Sequence, residues 1–258
     1  MELHVEENIS NFPSSGMDLI KRSIQCIRDG NNTLAEKHVR LLRQVCHDQL
    51  NVGKYENVEL HWRRGYYYCS YLLCIILMHS EYNAKDVLKI ADEGILMGSP
   101  IGNDLLSAIV KQALKSYTPS CEPLPSHSIF NVDNKDLPRL RNPIRRLTEP
   151  PSLMEWISIR KAMKPVVIEN LIGDWPAASK WTLPYIWKMM KGRTVPIEEG
   201  SKYTDADWGQ QLICFDDFFA AIDKPTVKRY LAQHPLLEQI PELQDDIDIP
   251  GKLTPLQM

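Results

Sequence analysis

Proline divides this chain in two. Of its 18 prolines, only Pro13 and Pro100 precede residue 119. A proline inside a helix removes a backbone hydrogen bond and clashes with the preceding turn, at a cost of ~3 kcal/mol or more. The first 118 residues are therefore free to be helical almost throughout, and the remainder is not. Tryptophan follows the same split: Trp62 stands alone before the division and five more come after it.

The apolar spacing of the first half agrees. Met17, Ile20, Ile24 and Ile27 fall on one helical face, and Gly30 supplies a stop. Leu34, Leu41, Leu42 and Val45 predict a second stripe. A third, longer helix runs from about Tyr55 to His79. Its stretch Tyr66–Met78 is apolar apart from Ser70 but only 13 residues long, where a membrane span needs roughly 20. A helix that is apolar nearly all round is normally surrounded by others. Asn83 is placed to cap a fourth helix whose inner face is Val87, Leu88, Ala91 and Ile95. Ser99 with Pro100 at the first turn predicts a fifth, backed by Leu105, Ile109 and Leu114. With no self-similar period near 34 residues, a repeat array is not supported. The expectation for 1–117 is an antiparallel helical bundle.

Composition narrows the partners. At 43% hydrophobic and 24% charged residues the chain reads as soluble and able to bury a core. A net charge of −3 lacks the basic footprint of a nucleic-acid binder, so no nucleic-acid and no membrane partner is expected. Six cysteines (26, 46, 69, 74, 121, 214) form no C-x-x-C pair. Without a signal-peptide pattern they read as reduced thiols of the cytosol or nucleus.

The stretch "TPSCEPLPSHSIFNVDNKDLPRLRN" makes 118–142 a proline-rich linker. Arg139, Arg141, Arg145 and Arg146 near its end favour a solvated basic face or docking to carboxylates over nucleic-acid contact. Beyond it, "PVVIEN" (165–170), "RTVPIEE" (193–199), "WGQQLICF" and "VKRYLAQ" read as strands. "SLMEWISIRKAM", "LPYIWKMMK" and "FDDFFAAID" read as the helices among them. This is α+β material with too few strands to close a barrel.

Three segments carry a resemblance: "KPVVIENLIGDWPAASKW" (164–181), "GRTVPIEEGSKYTDADW" (192–208) and "YLAQHPLLEQIPELQDDIDIP" (230–250). In this order, over roughly residues 143–250, they resemble the JmjC family of Fe(II)- and 2-oxoglutarate-dependent protein hydroxylases. The resemblance implies a cupin-like double-stranded β-helix in which His-x-Asp and a later His hold Fe(II). It also implies oxidation of protein side chains, either arginine hydroxylation or lysine demethylation, and a nuclear placement, with the cytoplasm as the other. Matched by motif, Tyr230 and Gln233 are implied to contact 2-oxoglutarate, and Glu198 and Trp208 to line a pocket for a substrate arginine. The chemistry is apt. A phenol and a carboxamide hydrogen-bond a carboxylate, a carboxylate forks to guanidinium, and an indole face attracts the same cation.

After Pro250 the sequence departs from the family pattern, running "GKLTPLQM" in place of the iron motif. Among the seven histidines, His4-x-Glu6 and His79-x-Glu81 have the short spacing but lie far upstream of every family landmark, and His234 has no carboxylate two residues on. The expected fold class is thus α + (α+β): helical bundle 1–117, linker 118–142, and 143–258 an incomplete JmjC domain lacking the β-helix core. No catalytic residue and no metal ligand is assigned, and the chain alone is expected to be inactive, truncated before its iron site. Strands deprived of a partner sheet expose edges, so the second half is expected to be marginally folded. The alternative is a non-catalytic module binding a protein partner through its helices.

Overall fold

The computed structural model describes residues 9, 11–102, 104–119, 142–200, 204, 208–221 and 228–248. Residues 120–141 of the expected linker, with Arg139 and Arg141, lie outside these, as do His4, His127 and the segment 249–258. The structure is helix-rich with two small sheets. It forms two compact units: one unites the described residues of Met1–Glu122 with those of Met190–His234, the other those of Pro123–Met189 with those of Pro235–Met258.

In the first unit five α-helices among the described residues precede the sheet: α1 (Ser14–Arg28), α2 (Asn32–Leu50), α3 (Leu60–Met78), α4 (Ala84–Met97) and α5 (Leu105–Ala113). Each packs on the next, and α3 touches α1, α2, α4 and α5. That central place is what its sequence demands: Tyr66 through Cys74 are all buried. No helix among the described residues is long and apolar enough to cross a membrane. Gly65 lets the helices approach, since a Cβ there would lie 2.6 Å from the Phe12 ring and 3.0 Å from Cys46 Sγ.

Two sequence expectations need correction. The inward stripe of α2 is Ala35, Val39, Leu42, Cys46 and Leu50, while Leu34, Leu41 and Val45 are 40%, 61% and 39% exposed. The small Ala35 and Cys46 allow neighbouring backbones to approach, so they win the interior over longer side chains. The helix expected at Ser99 begins instead at Leu105, where the Asp104 carboxylate accepts from Ser107 N at 3.4 Å and from the Ser107 hydroxyl. A carboxylate at the N-cap both accepts a hydrogen bond and complements the helix dipole. Asn83 does cap α4, accepting from Lys85 N at 2.9 Å.

The first unit also holds a three-stranded antiparallel sheet in the order β4–β3–β5: β3 (Thr194–Glu199), β4 (Gly209–Cys214) and β5 (Arg229–Tyr230), with α9 (Phe215–Phe219) after β4. "VKRYLAQ" thus contributes only two strand residues. β3 is covered on both faces, with Thr194, Val195, Ile197 and Glu198 all buried, against the expectation of bare inner faces.

The second unit contains β1 (Arg145–Leu147) paired in parallel with β2 (Val166–Ile168), and α6 (Leu153–Ala162), α7 (Pro176–Lys180) and α8 (Leu183–Met190). A short α10 (Leu236–Gln239) follows from its C-terminal segment, then a 3-10 turn over Pro241–Asp246. Arg145 and Arg146 meet Glu155 at 2.7 Å and Glu169 at 2.6 Å, the carboxylate docking read from sequence. Asp246 gathers the unit's C-terminal segment. It accepts from Lys180 Nζ at 2.7 Å, Trp181 Nε1 at 3.2 Å and Tyr185 Oη at 2.5 Å.

Candidate functional site

The site is built on β3, and β3 is anchored to the helices at its N-terminal end. Arg193 donates to Asp92 of α4 through Nε (3.1 Å) and Nη2 (2.6 Å), and Thr194 N donates to the same carboxylate at 2.6 Å. Arg193 and Asp92 are both buried. An uncompensated buried charge is costly, and this pair is compensated by a bidentate fork plus a backbone donor. A second buried carboxylate, Asp216 at the start of α9, accepts from Tyr117 Oη at 2.7 Å and from Gly192 N at 3.1 Å. Burial, then this hydrogen bond, raises the Tyr117 phenol well above its ordinary pKa, so it stays a donor. Gly192 holds φ +75 in the turn into β3, and a Cβ there would lie 2.8 Å from the Tyr117 ring.

Four residues along from this anchor, Glu198 lies on the central strand, near its C-terminal end. It is 5% exposed. The register sets it opposite Gln210 of β4 on one side and Tyr230 of β5 on the other. Cross-strand partners share a sheet face, so Glu198, Gln210 and Tyr230 present side chains to one face. Gln210 Nε2 donates to Glu198 Oε1 at 3.4 Å, a long contact. The opposite face carries Glu199, which accepts from Arg229 Nε at 2.5 Å and from Gln211 Nε2 at 3.1 Å. Adjacent carboxylates therefore face opposite ways: Glu199 pairs with Arg229 of its own chain, and Glu198 lies beside the Gln210 amide.

Tyr230 is 51% exposed, an unusual outlay for an aromatic ring on a strand otherwise flanked by buried β3 residues. Gln233 lies three residues on, with φ 52. A non-glycine residue in the left-handed region costs of order 1–2 kcal/mol, and such strain concentrates where a side chain is held for a purpose. Trp208 immediately precedes β4, half-buried at the same end of the sheet as the Glu198–Tyr230 pair. A Cβ on Gly200 (φ +120) would lie 3.0 Å from Trp208 Cα, so the chain leaving β3 and the chain entering β4 touch there. The register thus brings Glu198 and Tyr230 together directly, with Trp208 at that end of the sheet, while Gln233 lies three residues past Tyr230, where the chain runs back toward the other end of β3.

The arrangement can bind a cation against a buried carboxylate and an aromatic ring, and can hydrogen-bond an anion through a phenol and an amide. Among the described residues no group of three His, Cys, Asp or Glu side chains is placed to hold a metal ion. His79 is the C-cap of α3 and His234 follows Gln233. Sequence reasoning missed Gln210 and the two anchoring aspartates. For Gln210 the alternation of "GQQLIC" against "TVPIEE" was a usable signal, whereas pairing Asp92 with Arg193 across 101 residues leaves no local trace.

No protein-family model matches the chain. Curated proteins do. It is 30% identical to the lysine-specific demethylase 8 of Danio rerio over 94% of this chain and 66% of that protein. It is 31% identical to the Jumonji C domain-containing protein 5 of Drosophila melanogaster over 96% of this chain and 65% of that protein. The lysine-specific demethylase JMJ30 of Arabidopsis thaliana is 46% identical over a shorter stretch, 33% of this chain and 21% of that protein. The chain spans about 65% of the length of the long-matching relatives. With the similarity running through both the helices and the sheet, the chain belongs to the JmjC-domain family that includes lysine-specific demethylase 8 and JmjC domain-containing protein 5.

Proposed function

We propose that this chain is the substrate- and cosubstrate-facing N-terminal portion of a JmjC-type Fe(II)- and 2-oxoglutarate-dependent protein oxygenase, and that it does not turn over 2-oxoglutarate by itself. The observation that carries the first part is the register: a buried Glu198 set directly beside an exposed Tyr230. In this reading Glu198 and the Trp208 indole receive a guanidinium or ammonium of a protein substrate, the carboxylate by a charge-assisted fork and the ring by its face. Tyr230 and Gln233 donate to a carboxylate of 2-oxoglutarate. The substrate is an arginine- or lysine-bearing protein, and the location is the nucleus, with the cytoplasm as the alternative.

The second part rests on the donor set. Fe(II) in such enzymes supplies oxygen activation when held by two histidines and a carboxylate with open positions. The described residues offer no such trio. What these residues do is bind and orient. Glu198 fixes a cation at the floor of the sheet, Gln210 steadies that carboxylate, and Trp208 limits the direction of approach.

The test is binding. An arginine-containing peptide titrated into the 258-residue protein should quench tryptophan fluorescence, and Glu198→Ala should weaken binding by about 2 kcal/mol, or roughly thirtyfold, the worth of a charge-assisted pair. Equal affinity in wild type and Glu198→Ala sinks the assignment. A second reading, a non-catalytic protein-binding module, draws on the exposed Leu34, Leu41 and Val45 of α2. It predicts that Leu41→Glu abolishes partner binding while Glu198→Ala does not.

A further inference from the structure

The face of α2 that flanks its buried stripe carries a site distinct from the sheet pocket. Arg40, Arg43, Gln44 and His47, spaced at one helical face, line a pocket of about 400 Å³. That volume is in the range of small-ligand pockets. Leu73 of α3, Met97 of α4 and Leu212 of β4 give it an apolar wall.

Arg43 organises the pocket. Its Nε donates to Ser70 Oγ at 2.9 Å, and its Nη2 to Tyr66 Oη at 2.7 Å and Glu93 Oε2 at 2.6 Å. Its guanidinium lies 4.6 Å from the Tyr66 ring centroid. Three hydrogen bonds and a ring contact fix the group before any ligand arrives, so little side-chain entropy remains to be lost. Nη1 makes no hydrogen bond to the described residues. Glu93 is shared between Arg43 and Lys89 Nζ at 4.0 Å. Arg40 meets Glu36 through Nε alone, at 2.7 Å, which leaves its terminal nitrogens as donors. Gln44 Nε2 donates to Asp48 at 2.7 Å. The pocket is thus richer in donors and positive charge than in acceptors.

We propose that this pocket binds a carboxylate on a short aliphatic stem. The planar Arg40 guanidinium, which meets Glu36 through Nε alone, presents its two terminal nitrogens to a carboxylate, and the apolar wall suits methylene groups that phosphate lacks. The carboxylate has two sources, a free metabolite or an acidic side chain presented by a peptide, and both use the same donors.

The 258-residue protein is titrated by calorimetry with glutarate, with a glutamate-rich peptide, and with inorganic phosphate. Glutarate or the peptide binds more tightly than phosphate. Arg40→Glu and Gln44→Glu, both at the helix surface, each weaken that binding at least about tenfold with the melting temperature kept within a few degrees. Binding of glutarate identifies a metabolite source, and binding of the peptide alone identifies a protein source. The proposal is overturned if neither carboxylate binds, if phosphate binds best, or if both variants retain wild-type affinity. It is equally overturned if Tyr230→Ala abolishes glutarate binding while Arg40→Glu preserves it, because the ligand then occupies the sheet pocket.

Discussion

At the scale of single residues, buried charge is spent at defined places. Asp92 and Arg193 sit in the interior with a fork and a backbone amide completing the carboxylate. Removing one partner leaves the other charged and dry. Asp92→Ala should therefore cost about 3–5 kcal/mol, read as a lowered midpoint in urea unfolding; a loss under 1 kcal/mol would show that the pair is not desolvated. Gly200 and Trp208 give a local test. Gly200→Ala puts a Cβ against Trp208 Cα in a backbone region of φ +120, at about 1–3 kcal/mol, and should shift the tryptophan emission. Asp246 supplies the pH dependence. The Lys180 ammonium, then the Tyr185 hydroxyl, hold its carboxyl below the ordinary carboxylate range. A depressed folded pKa contributes stability that is full above the unfolded value of ~3.9 and is lost as pH falls through the lower folded one. Acid titration of the protein should show a stability loss below about pH 4 that Asp246→Asn removes; an identical acid limb in both proteins contradicts it.

At the scale of elements, the chain's own periodicity located most helices and the strands β2, β3 and β4, because burial imposes a period of 3.6 or 2 on the apolar residues. α3 is the clearest case: its run of tyrosines and leucines needs neighbours on every side, and Leu72 is fully buried among them. Leu72→Ala should cost about 2–5 kcal/mol by cavity formation, measured by thermal unfolding. α2 was less legible. Leu34, Leu41 and Val45 read as core by side-chain type, but the interior went to the smaller Ala35 and Cys46, a choice set by the distance to α1 and α3 and invisible in a single helix. The start of α5 was misplaced for a related reason: Ser99-Pro100 has helix-start chemistry, while the Asp104 carboxylate has a nearer amide to accept from. β1 was missed because "RRL" is two-thirds charged and becomes a strand only by pairing with β2. In the site, Glu198 and Tyr230 were assigned from separate motifs, and only the register made them neighbours. Gln210 went unassigned because its role exists only across the strands.

At the scale of the whole molecule, the first unit joins helices and sheet through residues distant in sequence, with Asp92 and Asp216 as the two acceptors that hold the start of β3. The position of Glu198 therefore depends on α4 as much as on its own strand, and Asp92→Asn should weaken arginine-peptide binding as well as stability. The proposal is that these residues bind and orient without completing the iron chemistry. Succinate released from 2-oxoglutarate by the purified 258-residue protein, with and without Fe(II), tests it most directly. The account predicts no Fe(II)-dependent succinate above the protein-free control, and Fe(II)-dependent succinate abolished by Tyr230→Ala would contradict it.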